Sequence, residues 1–515
     1  MKKIISLILI LVIIAGILIS CGGDSKADTP DNNKTNDGSG VNNDADSGDN
    51  QTGNQQSDVQ TPAESGIDPE LPEIDFENYA FTFLTHLYDG GDWVNPTPLE
   101  IIAEETSDEP IIDAVYRRNL KIKEKYNIDI KMIPNSDVKS ILNKDVKAGD
   151  STYDAVVMYG DHVQGIITAD LLLDTSHLPY IDLDKPWWDP AIRSLSIINK
   201  NYLLAGDLLI LDNEATNVLL FNKKLMADLS IDLPYKTVKE NKWTMDAMHN
   251  IIKNGASDLN GDGLMSAFED RWGFTVFNDT IHALLVAGGG ALAVKDENDI
   301  PYMDFASQKN LAVLDKVFDL LYNPDYVLFA KNIPAIGRQA DTGLEVYKTG
   351  FEENRILFLW ARMRVVELFR GMESDFGIIP LPKYDEAQDK YYSIVNPFTT
   401  ALLGIPKNAE NLDRVSIILE VLAAESRYTL KPAYYEVVLQ RKYARDAESE
   451  EMLDLIFSSR VFDIGGVYSF GNIYRDFMDL GAPKFDKNIA SFYDKKIGSM
   501  ETAINKVVDT FRAMD

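Results

Sequence analysis

Cysteine is almost absent: Cys21 is the only one in 515 residues, so the fold can hold no disulfide and no thiolate metal or redox centre. Histidine is scarce too, and His86, His162, His177, His249 and His282 never fall at a zinc-ligand spacing. There is no Gly-x-Ser-x-Gly elbow, no Walker loop and no Gly-x-Gly-x-x-Gly after a strand. Gly288-Gly289-Gly290 follows a helical pattern and reads as its terminator. Positive charge is in deficit, 50 Lys and Arg against 81 Asp and Glu, a formal net charge of −31. That balance excludes nucleic acid and anionic lipid surfaces as partners, because both would be repelled. Large apolar residues are nearly missing from Gly22 to about Pro72, a stretch of Asp, Asn, Ser, Thr, Gly and Gln. Such a segment buries too little surface to offset the entropy of ordering it.

What is present begins with Lys2 and Lys3 ahead of an unbroken apolar run, Ile4 to Ile19, with no acidic residue in it. This is the layout of a signal peptide. The run ends Leu18-Ile19-Ser20-Cys21-Gly22, which resembles the lipobox of bacterial lipoproteins. The resemblance implies cleavage before Cys21 and a diacylglycerol on its sulfur. The chain is therefore expected to be exported and held by lipid alone at the outer face of the cell membrane. A plain signal anchor with an incidental cysteine is the competing reading. Residues 1–20 are then the signal peptide, and 21–72 a disordered acidic and polar tether, since the segment lacks the aromatic platforms of a carbohydrate- or wall-binding module.

The remaining chain exceeds the roughly 250–300 residues at which a single core stops growing, so two lobes are expected. Short β runs alternate with helical ones: a strand Tyr79–Thr85, a helix Ile111–Tyr126, a strand Ile128–Ile133, a helix Val138–Val146 and a buried strand Tyr153–Tyr159. Strands separated by helices imply a mainly parallel sheet with right-handed crossovers, and ligands collect beyond the carboxyl ends of its strands. Tyr159, Gly160 and Asp161 fall there. Further on, helices are expected over Asn222–Leu229, Thr244–Lys253 with Thr244 as N-cap, Asn278–Val286, Gln308–Tyr322 and Arg362–Met372. Strands are expected over Trp272–Phe277, Ile356–Trp360 and Phe376–Ile379, and a long amphipathic helix over Ile489–Phe511.

Four segments in order carry a family resemblance. They are Glu214 to Asp228, running from a strand into Asn222-Lys223-Lys224-Leu225; Lys242-Trp243-Thr244-Met245-Asp246; Tyr347 to Trp360, with Lys348-Thr349-Gly350; and Phe376 to Tyr384, followed by Gly404-Ile405-Pro406-Lys407-Asn408. Together they resemble the extracellular solute-binding proteins of ABC importers, in the large group that includes maltose-binding protein. The resemblance implies an α/β, two-lobed periplasmic-binding-protein-like fold (type II), with solute trapped as the lobes close. Crossings are expected near Asp212–Asn217, Ser393–Thr399 and Tyr434–Tyr443, with lobe 1 formed by 73–213 and 398–438 and lobe 2 by 214–397 and 439–515. A monomer delivering a mono- or oligosaccharide to a permease, with no catalysis, is implied. A secreted glycan-active enzyme and a sensory or adhesive lipoprotein on the same fold are the alternatives.

A sugar site needs aromatic platforms beside charged or amide hydrogen-bonding groups. The candidates are Trp360 and Arg362 at a strand end, Tyr159 and Asp161, Glu214 at the first crossing, Trp93 in the loop after the first strand, and Tyr468 in a Gly-rich aromatic loop. Core packing competes with a platform role for Trp360, helix capping with ligand contact for Tyr159 and Asp161, and a solvated hinge position with a site role for Glu214. Trp187 and Trp188 suit a lobe surface as well as a ligand, whereas Trp243 and Trp272 read as core. Separately, Asp258 to Glu269 fits a calcium-loop pattern: Asp258, Asn260, Asp262, the Leu264 carbonyl, Ser266 and Glu269 are the ligand positions, with Gly263 at the sharp turn. A strand pattern follows where an EF-hand would have a helix, so a structural calcium ion is expected, with a metal-free Asp/Asn/Gly turn as the competing reading.

Overall fold

The computed structural model describes residues 67–87, 98–330, 342–440, 447–480 and 487–513. The leader, Cys21, most of the tether and Trp93 lie outside the described residues. In chain order the strands are β1 (Tyr79–His86), β2 (Ile128–Asn135), β3 (Ala155–Tyr159), β4 (Asn217–Asn222), β5 (Trp272–Val276), β6 (Ala293–Lys295) and β7 (Pro301–Met303). They continue as β8 (Val327–Phe329), β9 (Ile356–Arg362), β10 (Phe376–Ile379), β11 (Ser393–Ile394), β12 (Ala401–Gly404) and β13 (Arg460–Val461).

The first lobe is built on a sheet of order β12-β3-β1-β2, in which β1 pairs in parallel with β2 and β3 while β12 is antiparallel to β3. All five residues of β3 are buried, as a strand covered on both faces requires. The connecting helices have local causes. Pro110–Tyr126 starts on a proline and stops at Asn127, whose φ of 49° ends it. Val138–Ala148 starts where the Asp137 carboxylate accepts the Ser140 N–H and ends at Gly149, φ 71°.

The second lobe carries a mixed sheet, β10-β4-β9-β5-β8. Here β5 is parallel to β8 and β9, and β4 is antiparallel to β9 and β10. Helix Met245–Gly255 begins with Thr244 Oγ1 accepting the Ala247 N–H, the cap expected from sequence. The terminal helix, Ile489–Ala513, buries Met500, Ile504, Val508 and Phe511 along one stripe. One expectation fails: Arg362–Met372 is not a helix. Strand β9 runs on through Arg362, paired with Asn217, and a 3₁₀ segment Met363–Phe369 follows. Ladder partners on both edges of β9 override a local helical pattern.

The chain leaves the first sheet through Leu211–Asn217 and returns through Ser393–Thr400. These crossings lie side by side, with Asn396 N–H donating to the Ala215 carbonyl at 2.9 Å and Asn217 Nδ2 to the Ile394 carbonyl at 3.0 Å. The third crossing expected at Tyr434–Tyr443 falls partly outside the described residues, and beyond it strand β13 adds to β11 in parallel. Arg460, on β13, ties the passages together: its guanidinium meets Asp189 at 2.7 Å and Asp212 at 3.3 Å. Trp187 and Trp188 pack the first lobe, and both indole N–H groups donate to the Glu420 carboxylate, at 2.9 and 2.7 Å. Among the described residues no helix is long and apolar enough to cross a membrane.

Candidate functional site

The carboxyl ends of β1, β3, β5 and β9 and the start of β4 bring polar groups out of both sheets toward the two crossings. On the first-lobe side these are Thr85, His86, Tyr159 and Asp161. The His86 and Tyr159 rings lie against each other with centroids 3.8 Å apart and planes tilted by 35°. Burial pushes the His86 pKa down to about 3, so this imidazole is neutral at physiological pH.

On the second-lobe side, Asn278 and Asp279 follow β5, and helix Thr280–Ala287 begins only after them. Asp279 accepts from Asn396 Nδ2 at 3.0 Å. Burial pushes its carboxyl above the usual range, and Arg362, Asn396 and His282 pull it partly back. Tyr474 is buried against the same group, and its hydroxyl is raised well above the ordinary value by burial. His282 is fixed by Asp463 at 2.8 Å, with both side chains buried.

Buried polar atoms normally have partners, and here several do not. Thr85 Oγ1, Asn217 Oδ1, Thr275 Oγ1, Asn278 Oδ1 and Trp360 Nε1 are buried without a hydrogen bond. All sit at this same end of the two sheets. The contrast among tryptophans is the clearest. Trp187 and Trp188 donate to Glu420, Trp243 to the Pro380 carbonyl and Trp272 to the Ser266 carbonyl. Of the five described tryptophans, only Trp360 has an indole N–H without an acceptor.

Beside this cluster a groove of about 210 Å³ is lined by Asp161 and Gln164 from the first lobe, Pro397 and Phe398 from the return crossing, and Tyr474 and Arg475 from the second lobe. The turn before Tyr474 is strained: Ser469, Gly471 and Asn472 have φ of 44°, 60° and 73°. Left-handed conformations in non-glycine residues gather at ligand sites.

The candidates from sequence therefore separate. Trp360, Arg362 and Tyr159 lie in the buried cluster, with exposures of 1%, 8% and 3%, and Asp161 borders the groove. Glu214 ends the short helix Leu211–Glu214 at the first crossing, 3.6 Å from Arg364. Tyr468 is not in a loop. It closes helix Ile464–Tyr468, stacks on Phe470 and donates its hydroxyl to the Leu195 carbonyl at 3.0 Å. Asp279, Asn396, Tyr474 and Arg475 were not singled out from sequence. The strand-end rule that selected Tyr159 would also have found Asn278 and Asp279 beyond β5, whereas Tyr474 and Arg475 reach the site only through tertiary packing.

The Asp258–Glu269 loop is folded on its own hydrogen bonds. The Asp258 carboxylate accepts Gly261 and Gly263 N–H at 2.7 and 2.8 Å. Asp270 gathers the Leu259 and Ser266 N–H groups, which hold its carboxyl below the usual range. Asn260 Nδ2 donates to Glu269 at 3.2 Å. The donor set, all hard oxygens, suits calcium. Among the described residues, however, no three His, Cys, Asp or Glu side chains converge closely enough to hold a metal ion.

No protein-family model matches the chain, and no curated protein matches it by sequence. Solved structures do match. Mycobacterium tuberculosis UspC shares 13% identity at a TM-score of 0.51, covering 84% of this chain and 100% of its own. The galacto-N-biose-/lacto-N-biose I-binding protein of the ABC transporter from Bifidobacterium longum, in complex with lacto-N-biose, shares 14% at 0.52, covering 85% and 98%. A sugar transporter from Rhizobium etli in an open conformation shares 12% at 0.51, covering 84% and 100%. The chain thus has the two-lobed α/β fold of solute-binding proteins.

Proposed function

We propose that this chain captures an uncharged saccharide outside the cell and delivers it to an ABC importer permease by closing its two lobes over it. The observation that carries the reading is the set of unpartnered polar atoms at the strand ends of both sheets, next to the interlobe groove. A polyhydroxylated ring supplies the acceptors and donors these atoms lack, and the presence of basic beside acidic groups, Arg362 near Asp279 and Arg475 on the same groove as Asp161, favours a neutral guest. Solute touching both lobes only when they are together shifts the population to the closed state. The B. longum and R. etli neighbours, named for sugar binding and sugar transport, support the same reading, and no catalytic role is assigned to any group. The lobes are taken as 73–213 with 398–438 and 214–397 with 439–515, tethered through 21–72 to lipid on Cys21.

The test is a thermal-shift screen of the full chain carrying Cys21→Ser against mono- and oligosaccharides, scored together with assays for sugar release. Stabilisation without product is expected. For the saccharide that binds, Trp360→Phe removes the N–H and keeps an aromatic face. Loss of one hydrogen bond, about 1–1.5 kcal/mol, weakens binding roughly tenfold; because Trp360 is buried in the core, the smaller ring also lowers the solute-free melting temperature, and affinity is compared where both proteins are fully folded. Unaltered affinity would make Trp360 a packing residue.

Calcium is proposed as a structural ion held by Asp258, Asn260, Asp262, the Leu264 carbonyl, Ser266 and Glu269. Loops of this type outside cells bind at about 10⁻⁴ to 10⁻³ M. Adding roughly 10 mM calcium after chelation is therefore expected to raise the melting temperature by about 2–4 °C, and Glu269→Gln to abolish the rise. A flat response in the parent chain would leave the loop as a metal-free turn.

A further inference from the structure

The groove walls carry one pair of charges that solute contacts alone do not explain. Asp161 is in the first turn of helix Gly160–Ile167 in the first lobe, and Arg475 is in the first turns of helix Ile473–Leu480 in the second. Both line the groove, and the Asp161 side chain is 36% exposed. Among the described residues Arg475 has no ion pair within 4.0 Å, and its guanidinium lies 5.9 Å from the Phe398 ring at the return crossing. Among the described residues the only ion-pair partner of Asp161 is His162, at 3.7 Å.

The other charges around them are committed elsewhere. Asp476, next to Arg475, is bound by Lys496 at 2.6 Å, and the remaining wall is made of Gln164, Ser469, Asn472 and Met478. Partial desolvation in the groove raises the Asp161 carboxyl, and His162 and Arg475 pull it down, so the two charges act on each other across the gap. Ser469 and Asn472, with left-handed φ of 44° and 73°, directly precede helix Ile473–Leu480 and line the groove with Arg475.

We infer that Asp161 and Arg475 form an interlobe ionic latch, each the other's partner across the groove, which favours the closed arrangement and slows its opening. The inference rests on the two-lobe closure reading for its purpose, and its geometry does not depend on which solute binds. Because the pair is exposed on one side, its contribution is screened by salt.

A charge-reversal cycle tests this without any ligand. In the full chain with Cys21→Ser, the melting temperature is measured for Asp161→Arg, Arg475→Glu and the double variant at about 20 mM and about 500 mM salt. Each single reversal places like charges across the groove and is expected to lower the melting temperature by about 2 °C at low salt. The double variant recovers the parent value, and the non-additivity shrinks at high salt. Additive effects, or coupling that ignores salt, would overturn the latch. Saccharide stabilisation of the parent chain, read in the same plates, separates this failure from failure of the solute-binding reading.

Discussion

Replacing Arg460 by leucine is expected to lower stability by about 3–5 kcal/mol at pH 7, the cost of leaving buried carboxylates without their cation, and by clearly less at pH 5. Among the described residues Arg460 is the only basic group within 4.0 Å of both Asp189 and Asp212, and the three side chains are 12%, 5% and 1% exposed. Burial pushes the Asp212 carboxyl up to about 7 even with Arg460 beside it. A carboxyl whose folded pKa lies above its unfolded value binds more protons when folded. Its contribution to stability is therefore complete below the unfolded pKa, near 4, and declines as pH rises through 7. The parent chain should become less stable over that interval, with Glu420, also raised to about 7 by burial although the Trp188 and Trp187 indole N–H groups pull it partly back, adding to the slope. In Arg460→Leu the carboxylates can be neutralised only by protons, so acid pH relieves the defect. Thermal melting from pH 5 to pH 8 checks both statements, and a penalty that does not depend on pH would place the strain elsewhere than in the carboxylates.

Gly160→Ala is the second large effect, and it acts through geometry alone. A Cβ at Gly160 would lie 1.9 Å from the Pro397 carbonyl oxygen and 3.2 Å from Thr400 Cγ2, while Gly160 N–H donates to the Thr400 carbonyl at 3.0 Å. Backbone of the first lobe and backbone of the return crossing touch here, and neither is a flexible side chain that can swing away. Overpacking at such a contact costs about 1–3 kcal/mol, and it shifts Tyr159 in the buried cluster and Asp161 at the groove at the same time. Saccharide affinity should fall at least tenfold together with the melting temperature. Gly371, which has nothing within 4 Å of a built Cβ, is the matched control, and Gly371→Ala should change neither quantity. Equal behaviour of the two variants would mean that the first lobe is free to shift on the crossing.

Local structure in this chain was legible where one signal dominates. The apolar run Ala155–Tyr159 could only be a covered strand, Thr244 could be read as a cap, and the 3.6-residue spacing of Met500, Ile504, Val508 and Phe511 named the buried face of the last helix. Arg362 could not be placed, because its strand pairing comes from Asn217, far away in sequence. The same limit hid half of the site. Trp360 and Tyr159 stand at strand ends and were visible as such, yet the groups that complete the cluster, Asn396 from a crossing and Tyr474 from a helix near the end of the chain, meet Asp279 only after both lobes have folded. Trp187 and Trp188 remained ambiguous for an equivalent reason: their partner Glu420 lies more than 230 residues away.

The central claim is that two rigid lobes close on a shared guest. Small-angle scattering of the full chain with Cys21→Ser, before and after saturation with the saccharide that gives the largest thermal shift, measures it directly. A contraction in radius of gyration that tracks saccharide occupancy is predicted. A saturated protein with an unchanged scattering profile would contradict the account.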